Sequence, residues 1–386
     1  MDAIKEVLTR GVEKIYPSRE ELEKVLQSGK KLRVYLGVDP TGTRLHIGHS
    51  IGLTKLQQFA DAGHDAILLF GTGTVLVGDP SQRSEARKRI TKEEIDESIK
   101  TWKEQVSPII DFEKVTIKQN AEWLLKLTLP EIIELMSHIS SVQLFKRDNF
   151  QKRLDRGDTV WYHETLYPLL QGYDSVAMDV DLEIGGTDQT FNMLVGRELM
   201  QKMKGKEKFV LTTPMIVGTD GNQMSKSTGN CIWLDDTPEN MFGKVMSIPD
   251  DVMDSYEMLL TTLDSNETKK MSPIDRKKNL AKAIVTRFHS EEQAEPSQAY
   301  FEKTVQHQEL PADIPEFSIK PDTSLPSLLV DSKLVSSKSE ARRLIEQGGV
   351  EVDGKRVTDP NRIISVRDGM IIKAGKRKYV KARSKI

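Results

Sequence analysis

Cysteine is almost absent from this sequence: Cys231 is the only one among 386 residues. A single cysteine cannot form an internal disulfide, which fits a protein of a reducing compartment. Long hydrophobic runs are also lacking, because glycines and threonines at positions 71–74 interrupt the longest apolar stretch, residues 66–77. A membrane-spanning helix needs about 20 consecutive apolar residues. We therefore predict that no segment crosses a membrane.

The first residues lack the pattern of a secretory signal. They have the apolar spacing of an amphipathic helix and include Asp2 and Glu6. A signal peptide would instead combine a basic start with an apolar core. We expect a cytoplasmic protein.

Positive charge is scarce in most of the chain and concentrated at its end. Residues 324–386 contain 15 Lys and Arg against 7 Asp and Glu, a net charge of +8. Residues 1–323 contain 41 against 51, a net charge of −10. This asymmetry favours nucleic acid as a partner of the basic end, although a solvated charged surface also produces basic runs.

The most informative pattern that is present is a strand followed directly by a helix. Residues 32–39 alternate as a strand does, Pro40 ends the alternation, and a helical apolar pattern begins at His49. Such junctions at the carboxyl ends of parallel strands bind ligands in α/β sheets, and the amino terminus of the helix favours phosphate. His46 and His49 at this junction therefore suit nucleotide chemistry.

The pair of histidines also has plainer interpretations. Each is also typical of a surface or helix-capping residue, and the HxxH spacing occurs in metal sites. A metal is disfavoured because no cluster of cysteines or carboxylates accompanies the pair.

The order of the elements predicts the fold class. A helix over 49–62 and a buried strand over 66–70 follow the first strand, and 115–117 predicts a third, which is the β-α-β order of a doubly wound sheet. We predict an α/β protein whose Rossmann-type parallel sheet forms a catalytic domain, followed by a helical domain and a small α+β RNA-binding domain. The predicted boundaries are 1–234 for the catalytic domain with a helical insertion, 235–306 for a helical domain, 307–323 for a proline-containing linker and 324–386 for the basic domain.

Another segment predicts the wall of a pocket. Tyr167, Gln171 and Asp174 recur at helical spacing and share one face among apolar neighbours. A solvent-facing stripe is the alternative, but the neighbouring leucines favour a lined pocket. Pro168 should kink this helix or start a new turn.

A second motif makes the first one specific. Met224-Ser225-Lys226-Ser227 lies in a glycine-rich loop after an apolar strand over 209–211. Together with His46-Ile47-Gly48-His49, this loop resembles the signature pair of the class I aminoacyl-tRNA synthetases. Over nearly the whole chain, the sequence is similar to the tyrosyl-tRNA synthetases of the bacterial type.

This resemblance implies a role for each matching residue. For L-tyrosine it implies Tyr35 and Asp174 at the phenol, Tyr167, Gln171 and Asp79 at the ammonium group, Asn120 as a support of Tyr167 or its neighbours, and Gln189. For ATP it implies Gly37, Asp39, His46, Gly48, His49, Gly186, Asp188, Met224 and Lys226. The catalytic candidates are Thr41, His46, His49, Lys226 and Ser227.

The resemblance also implies the reaction and its partners, and it makes the helical domain over 235–306 an anticodon-side domain. ATP is a substrate, Mg²⁺ comes with ATP, and no tightly bound protein metal is expected. L-tyrosine is joined to tRNA(Tyr), and the enzyme is a homodimer joined through the region of residues 129–156, which is helical by pattern. No membrane is involved.

Two residues depart from the family pattern. Glu183 stands where some members have glutamine, which leaves its role open. Gln223 stands where the family loop begins with lysine, so Lys226 would carry more of the interaction with phosphate.

The carboxyl-terminal segment resembles a small RNA-binding fold of the ribosomal small subunit. A helix over 336–347 carries Lys338, Arg342 and Arg343, and a hairpin turn follows at Asp353-Gly354. These three cations are the predicted RNA contacts. A charged capping domain is the alternative.

Three rival functions remain open at this stage. A non-catalytic RNA-binding relative should have lost the histidines and the loop lysine. A nucleotidyltransferase for another acid would need neither the phenol pair nor the basic domain. A tryptophanyl enzyme should lack the combination of Tyr35 and Asp174.

Overall fold

The computed structural model describes residues 3–79, 91–145, 147–224, 228–306, 314–319, 323–375 and 378–384. The chain divides into two compact units, residues 1–236 with 244–290 and residues 237–243 with 291–386. The four predicted domain boundaries stay predictions. Within the described ranges, no helix is long and apolar enough to span a membrane.

A six-stranded sheet forms the centre of the first unit. Its order is β1-β6-β5-β2-β3-β4, and all neighbouring pairs are parallel except β1 with β6. The strands are β1 (Lys14–Tyr16), β2 (Arg33–Val38), β3 (Asp65–Phe70), β4 (Val115–Gln119), β5 (Leu182–Gly186) and β6 (Phe209–Thr213). The predicted Rossmann-type sheet is confirmed, and the antiparallel edge strand β1 is an addition that the sequence did not predict.

Helices connect these strands and cover the sheet. In chain order they are α1 (Ala3–Val7), α2 (Arg19–Gln27), α3 (His49–Asp61), α4 (Lys92–Val106), α5 (Ala121–Leu124), α6 (Leu129–Ser137), α7 (Ser141–Phe145), α8 (Asp148–Asp155), α9 (Tyr167–Met178) and α10 (Thr190–Lys204). Later come α11 (Pro238–Val245), α12 (Met253–Leu260), α13 (Ser265–Thr268), α14 (Pro273–Phe288) and α15 (Glu291–Phe301). Short 3₁₀ segments cover Thr74–Leu76, Tyr162–Leu166, Thr187–Gln189 and Asp250–Val252, and Glu302–Gln306 is π-helical.

The strand order reverses beside β2. From β2 the chain adds β3 and β4 on one side, and β5 and β6 then add on the other. Loops leaving β2 and β5 therefore diverge, which opens a crevice at the carboxyl ends of these two strands. Asp39 follows β2 directly and Asn120 follows β4, so both lie at this edge.

Residues 129–156 are largely helical, as the sequence pattern predicted. The structure has three short helices there, α6, α7 and α8, rather than one continuous helix. Local side-chain bonds start new helices: Thr128 and Glu131 form a capping box, and the Ser140 hydroxyl accepts from the backbone N–H of Gln143. Pro168 likewise starts α9, which follows a 3₁₀ segment.

The second unit contains a five-stranded sheet of order β10-β9-β12-β13-β7 and the two-stranded pair β11–β8. Its elements after residue 313 are β7 (Glu316–Ile319), β8 (Thr323–Ser324), α16 (Leu325–Asp331), α17 (Lys338–Glu346), β9 (Val350–Val352), β10 (Lys355–Val357), β11 (Ile363–Ile364), β12 (Ile371–Ala374) and β13 (Lys378–Ser384). Leucines of α16 pack with Ile345 and Ile372 to form its core.

The predicted linker over 307–323 contains a strand that the sequence did not reveal. β7 pairs in parallel with β13, and Phe317 packs against the core of the basic domain. Nearby prolines suggested an irregular segment, but β7 is an edge strand, where prolines at the ends are tolerated.

The hairpin predicted at Asp353-Gly354 is confirmed. Both residues have positive φ, 49° and 74°, as a two-residue type I′ turn requires. The helix predicted before it is also present as α17, and Lys338, Arg342 and Arg343 are exposed on it.

Candidate active site

A cavity of about 480 Å³ opens at the carboxyl edge of the sheet. Its lining includes every residue that was predicted to bind tyrosine, to bind ATP or to act in catalysis and that the structure describes. These are Tyr35, Gly37, Asp39, Thr41, His46, Gly48, His49, Asp79, Asn120, Tyr167, Gln171, Asp174, Gly186, Asp188, Gln189 and Met224. Residues that lie 189 positions apart in sequence thus converge on one crevice.

Asp174 provides the negative charge at the closed end of this cavity. Trp123 Nε1 donates to Asp174 Oδ1 over 2.8 Å, and Asn120 Nδ2 donates to Asp174 Oδ2 over 3.0 Å. Burial raises the pKa of the Asp174 carboxyl well above its usual range, and these two hydrogen bonds oppose that rise. The carboxylate is held firmly in place, with its remaining lone pairs available for a donor in the cavity.

Asn120 was expected to support Tyr167 or its neighbours, and it makes three hydrogen bonds in the cavity wall. Its amide donates to Asp174 and to Thr74 Oγ1, and its Oδ1 accepts from the backbone N–H of Gly73 over 2.7 Å. Thr74 in turn donates to Asp39 Oδ1. Asn120 supports Asp174 directly and reaches Tyr167 only through Thr74 and Asp39.

Two tyrosine hydroxyls lie in the same cavity wall. Tyr35 Oη is 3.1 Å from Ser175 Oγ, and Tyr167 Oη donates to Asp39 Oδ2 over 3.0 Å. Burial raises the pKa of both phenols, and neighbouring carboxylates raise them further. Both groups therefore remain neutral and can donate hydrogen bonds.

A chain of side-chain amides borders the end of the cavity that contains Asp79. Gln189 Nε2 donates to Asp79 Oδ2 over 2.8 Å, and Asn192 Nδ2 donates both to Gln189 Oε1 and to Gln171 Oε1. The guanidinium of Arg147 lies 3.8 Å from Asp79 and is almost fully buried. Amide oxygens and the Asp79 carboxylate give this end the acceptors that a cation needs.

The sequence analysis did not predict a buried ion pair in and behind the cavity wall. Lys208 Nζ forms a short salt bridge with Glu183 Oε2, and Gln171 Nε2 donates to the other oxygen of Glu183 over 3.0 Å. Burial lowers the pKa of Lys208, and the charge of Glu183 opposes that change. Lys208 directly precedes an apolar strand, so by pattern it resembles an ordinary exposed flanking lysine.

The segment over residues 46–49, called the HIGH segment, lies where the cavity lining is partly exposed. Ile47 N donates to Ile232 O over 2.9 Å, and Leu234 N donates to Leu45 O over 2.8 Å. The rings of His46 and His49 lie 4.0 Å apart between centroids. This pairing joins the start of α3 to the chain that follows the glycine-rich loop.

One glycine at this end is required by a close approach. A Cβ atom added to Gly71 would lie 1.8 Å from Asp39 Oδ1 and 2.5 Å from Thr74 Oγ1. A side chain there would displace the Asp39 carboxylate from its two hydrogen-bond donors.

The glycine-rich loop is described only in part. Ser225, Lys226 and Ser227 lie outside the described residues, and Gln223 and Met224 line the cavity. At the base of the loop, Asn230 Nδ2 donates to Asp220 Oδ1 over 2.8 Å and to Gln223 O over 3.0 Å.

The described ranges contain no group of three or more His, Cys, Asp or Glu side chains arranged to hold a metal ion. The cavity instead offers acceptors at its inner end and the start of a helix at its open end. This arrangement suits a zwitterion bound inside and phosphate bound outside.

Comparison with known families gives two matches. A model of "tRNA synthetases class I (W and Y)" matches residues 27–306, and a model of the S4 domain matches residues 324–369. Together they cover most of the chain.

Curated relatives resemble the chain along almost its whole length. A tyrosine–tRNA ligase of Moorella thermoacetica is 41% identical over 389 residues, which covers 97% of this chain and 94% of the relative. A tyrosine–tRNA ligase of Haemophilus ducreyi is 41% identical over 394 residues and covers 100% and 99%.

Solved structures share the fold at low identity. A truncated mitochondrial tyrosyl-tRNA synthetase of Aspergillus nidulans superposes with a TM-score of 0.65 at 23% identity, covering 79% of this chain and 93% of that one. A tyrosyl-tRNA synthetase of Archaeoglobus fulgidus, solved with L-tyrosine, gives 0.60 at 21% identity and covers 77% and 99%.

Proposed function

The chain belongs to the class I tRNA synthetases, as a bacterial-type member of the tyrosyl family, and we propose that the cavity is its tyrosyl-adenylate site. The protein is a tyrosine–tRNA ligase, which joins L-tyrosine to tRNA(Tyr) at the expense of ATP. The observation that supports the site assignment is that Tyr35 and Asp174 are buried in the lining of the cavity, whereas His46 and His49 line it in partly exposed positions.

The closed end fits a phenol. A substrate hydroxyl placed between Asp174 and Tyr35 would donate to the carboxylate and accept from the tyrosine. The ammonium group would then lie near Gln171, Tyr167, Asp79 and Gln189, whose oxygens can accept from it. The charge of the ammonium group would be compensated by the Asp79 carboxylate, as a partly buried site requires.

The reaction needs positioning more than proton transfer. The carboxylate of tyrosine is ionised at neutral pH, attacks the α-phosphorus of ATP and displaces pyrophosphate. A ribose hydroxyl of the terminal adenosine of tRNA then attacks the acyl carbon, and AMP leaves.

We propose that five residues stabilise the charge that develops on the phosphates during activation: Thr41, His46, His49, Lys226 and Ser227. Gly37, Asp39, Gly48, Gly186, Asp188 and Met224 would contact the nucleotide. Mg²⁺ would be held mainly by phosphate oxygens and water, as is usual for this ion. We also propose a cytoplasmic location.

The first prediction concerns recognition of the phenol. Tyr35→Phe or Asp174→Asn should lower the ratio of kcat/KM for tyrosine over phenylalanine by about tenfold or more, because each removes a hydrogen bond made only to the substrate hydroxyl. ATP–pyrophosphate exchange with both amino acids measures this ratio.

Tyr173→Phe is the matched control, since Tyr173 is on the same helix as Asp174 but does not line the cavity. In the wild type, the ratio of kcat/KM for tyrosine over phenylalanine should also fall as the pH is lowered. Burial raises the pKa of Asp174, so its carboxylate is lost at a higher pH than an ordinary aspartate would be. Equal ratios in both variants and the wild type would refute the phenol assignment.

The second prediction concerns His49. His49→Ala should slow formation of tyrosyl-adenylate by about 100-fold while the KM for tyrosine changes little, because the imidazole would contact charge that develops only in the transition state. Single-turnover quenched-flow kinetics separates the two quantities. His163→Ala is the control, since His163 is exposed and lies outside the cavity. A parallel loss of tyrosine binding would contradict this role.

The third prediction concerns assembly, for which we propose a homodimer formed through residues 129–156. Three large apolar side chains of this region are highly exposed, Leu129 by 69%, Ile133 by 58% and Val142 by 64%. Light scattering at micromolar concentration should give twice the chain mass of 43.7 kDa. Ile133→Glu should give the single-chain mass, whereas Met271→Glu, at an exposed position elsewhere, should not. A wild-type monomer would refute the proposal.

The fourth prediction concerns RNA. We propose that Lys338, Arg342 and Arg343, exposed on α17 in the basic domain, contact tRNA phosphates. Arg342→Glu with Arg343→Glu should weaken tRNA binding. The slope of the logarithm of the binding constant against the logarithm of the salt concentration should become shallower by about two. Adenylate formation should not change.

The control carries the same change of charge at two exposed lysines, Lys5→Glu with Lys24→Glu. Filter binding over a series of salt concentrations measures both proteins. An unchanged slope in the arginine variant would show that α17 does not contact the RNA backbone.

A further inference from the structure

The salt bridge between Lys208 and Glu183 has no part in the mechanism above, although both side chains are shielded from solvent, with exposed fractions of 0% and 2%. Glu183 belongs to β5 and lines the cavity, and Lys208 comes just before β6. The neighbouring helix leaves space for the lysine: a Cβ atom on Gly196 of α10 would lie 2.6 Å from Lys208 Nζ.

Lys208 sets the direction of one hydrogen-bond chain. An ammonium group only donates, and Lys208 Nζ lies 2.8 Å from Ser175 Oγ, which must therefore accept. The positive charge turns the hydroxyl hydrogen of Ser175 away from itself and towards Tyr35 Oη, 3.1 Å away. Tyr35 then accepts from Ser175, so its own hydrogen remains to be donated. The nearby Glu183 carboxylate is one acceptor for that hydrogen, and a ligand oxygen in the cavity would be another.

Glu183 sets the direction of a second chain. An ionised carboxylate only accepts, so Gln171 must present its Nε2 to Glu183, at 3.0 Å. The Oε1 of Gln171 consequently lies on the other side of the amide, where it accepts from Asn192 Nδ2 over 2.9 Å. One of its lone pairs remains available for a cation in the cavity.

We propose that the Lys208–Glu183 pair fixes hydrogen-bond polarity at both ends of the tyrosine site. Through Ser175 it makes Tyr35 a donor to the phenolic oxygen, and through Gln171 it supplies an acceptor to the ammonium group. This inference rests on the proposed function of the cavity. Lys208 and Glu183 act as positioning residues, since Lys208 does not line the cavity and Glu183 works through Gln171.

Exchange of Glu183 for glutamine should therefore be harmful while Lys208 is present. Lys208 would take the amide oxygen of the new side chain, which leaves its NH₂ group facing the NH₂ group of Gln171. Gln171 would have to turn over and present a donor to the substrate ammonium. Replacing Lys208 as well would let the new amide turn its oxygen back to Gln171.

The experiment compares Glu183→Gln with the double variant Glu183→Gln, Lys208→Met in ATP–pyrophosphate exchange. The single variant should raise the KM for tyrosine and for phenylalanine alike by about tenfold, since both amino acids carry the ammonium group. The double variant should bring the KM for tyrosine back to within about threefold of wild type. Its ratio of kcat/KM for tyrosine over phenylalanine should nevertheless fall about tenfold, because Tyr35 is no longer oriented. The KM for ATP should not change in either variant.

A matched control removes a buried ion pair that does not line the cavity. Arg276 contacts Glu257 with two nitrogens, at 2.6 and 2.8 Å, and Glu257 is fully buried. Glu257→Gln with Arg276→Met should lower stability towards urea without changing either KM or the ratio.

Two results would overturn the inference. One is a double variant with the same raised KM as the single variant, since rescue is expected only if Lys208 dictates the orientation of residue 183. The other is an unchanged tyrosine-to-phenylalanine ratio in the double variant. A wild-type protein without tyrosine-dependent exchange would instead refute the proposed function of the cavity, so the two failures are distinguishable.

Discussion

Burying the carboxylate of Asp174 costs free energy, because a charge loses its contact with water. The protein compensates with two donors from the single segment that follows β4, Asn120 and Trp123. Removing either donor would leave a buried charge less satisfied, which costs more than an ordinary hydrogen bond contributes. The hydrogen bonds of this one carboxyl group thus join α9 to the segment that follows β4.

The same requirement explains why polar groups in the cavity form networks rather than isolated pairs. Asp39 receives hydrogen bonds from Thr74 and Tyr167, and Glu183 receives them from Gln171 and Lys208. A rigid set of such groups distinguishes substrates by their donors and acceptors, and needs little rearrangement when a ligand enters.

The two ends of the cavity differ because different parts of the fold build them. The inner end is made by side chains of β2, β5 and α9, which are packed in the sheet and helix layers. The outer end is made by the segment before α3 and by the glycine-rich loop, both of which are held largely by backbone hydrogen bonds. In the proposed assignment, specificity for the amino acid would reside in the packed end, and contact with phosphates would be made at the start of α3.

The sequence by itself predicted the Rossmann-type parallel sheet and, through the family resemblance, most residues that line the cavity. It did so because strand alternation, the two signature motifs and the helical spacing of Tyr167, Gln171 and Asp174 are local patterns. Their roles, and the four domain boundaries, remain predictions. Only the tertiary structure decided that Asn120 bonds to Asp174, that β7 completes the sheet of the basic domain, and that Glu183 pairs with Lys208. A hydrogen bond between residues far apart in sequence leaves no periodic signal, since it depends on which strands become neighbours and not on the order of residues within either one.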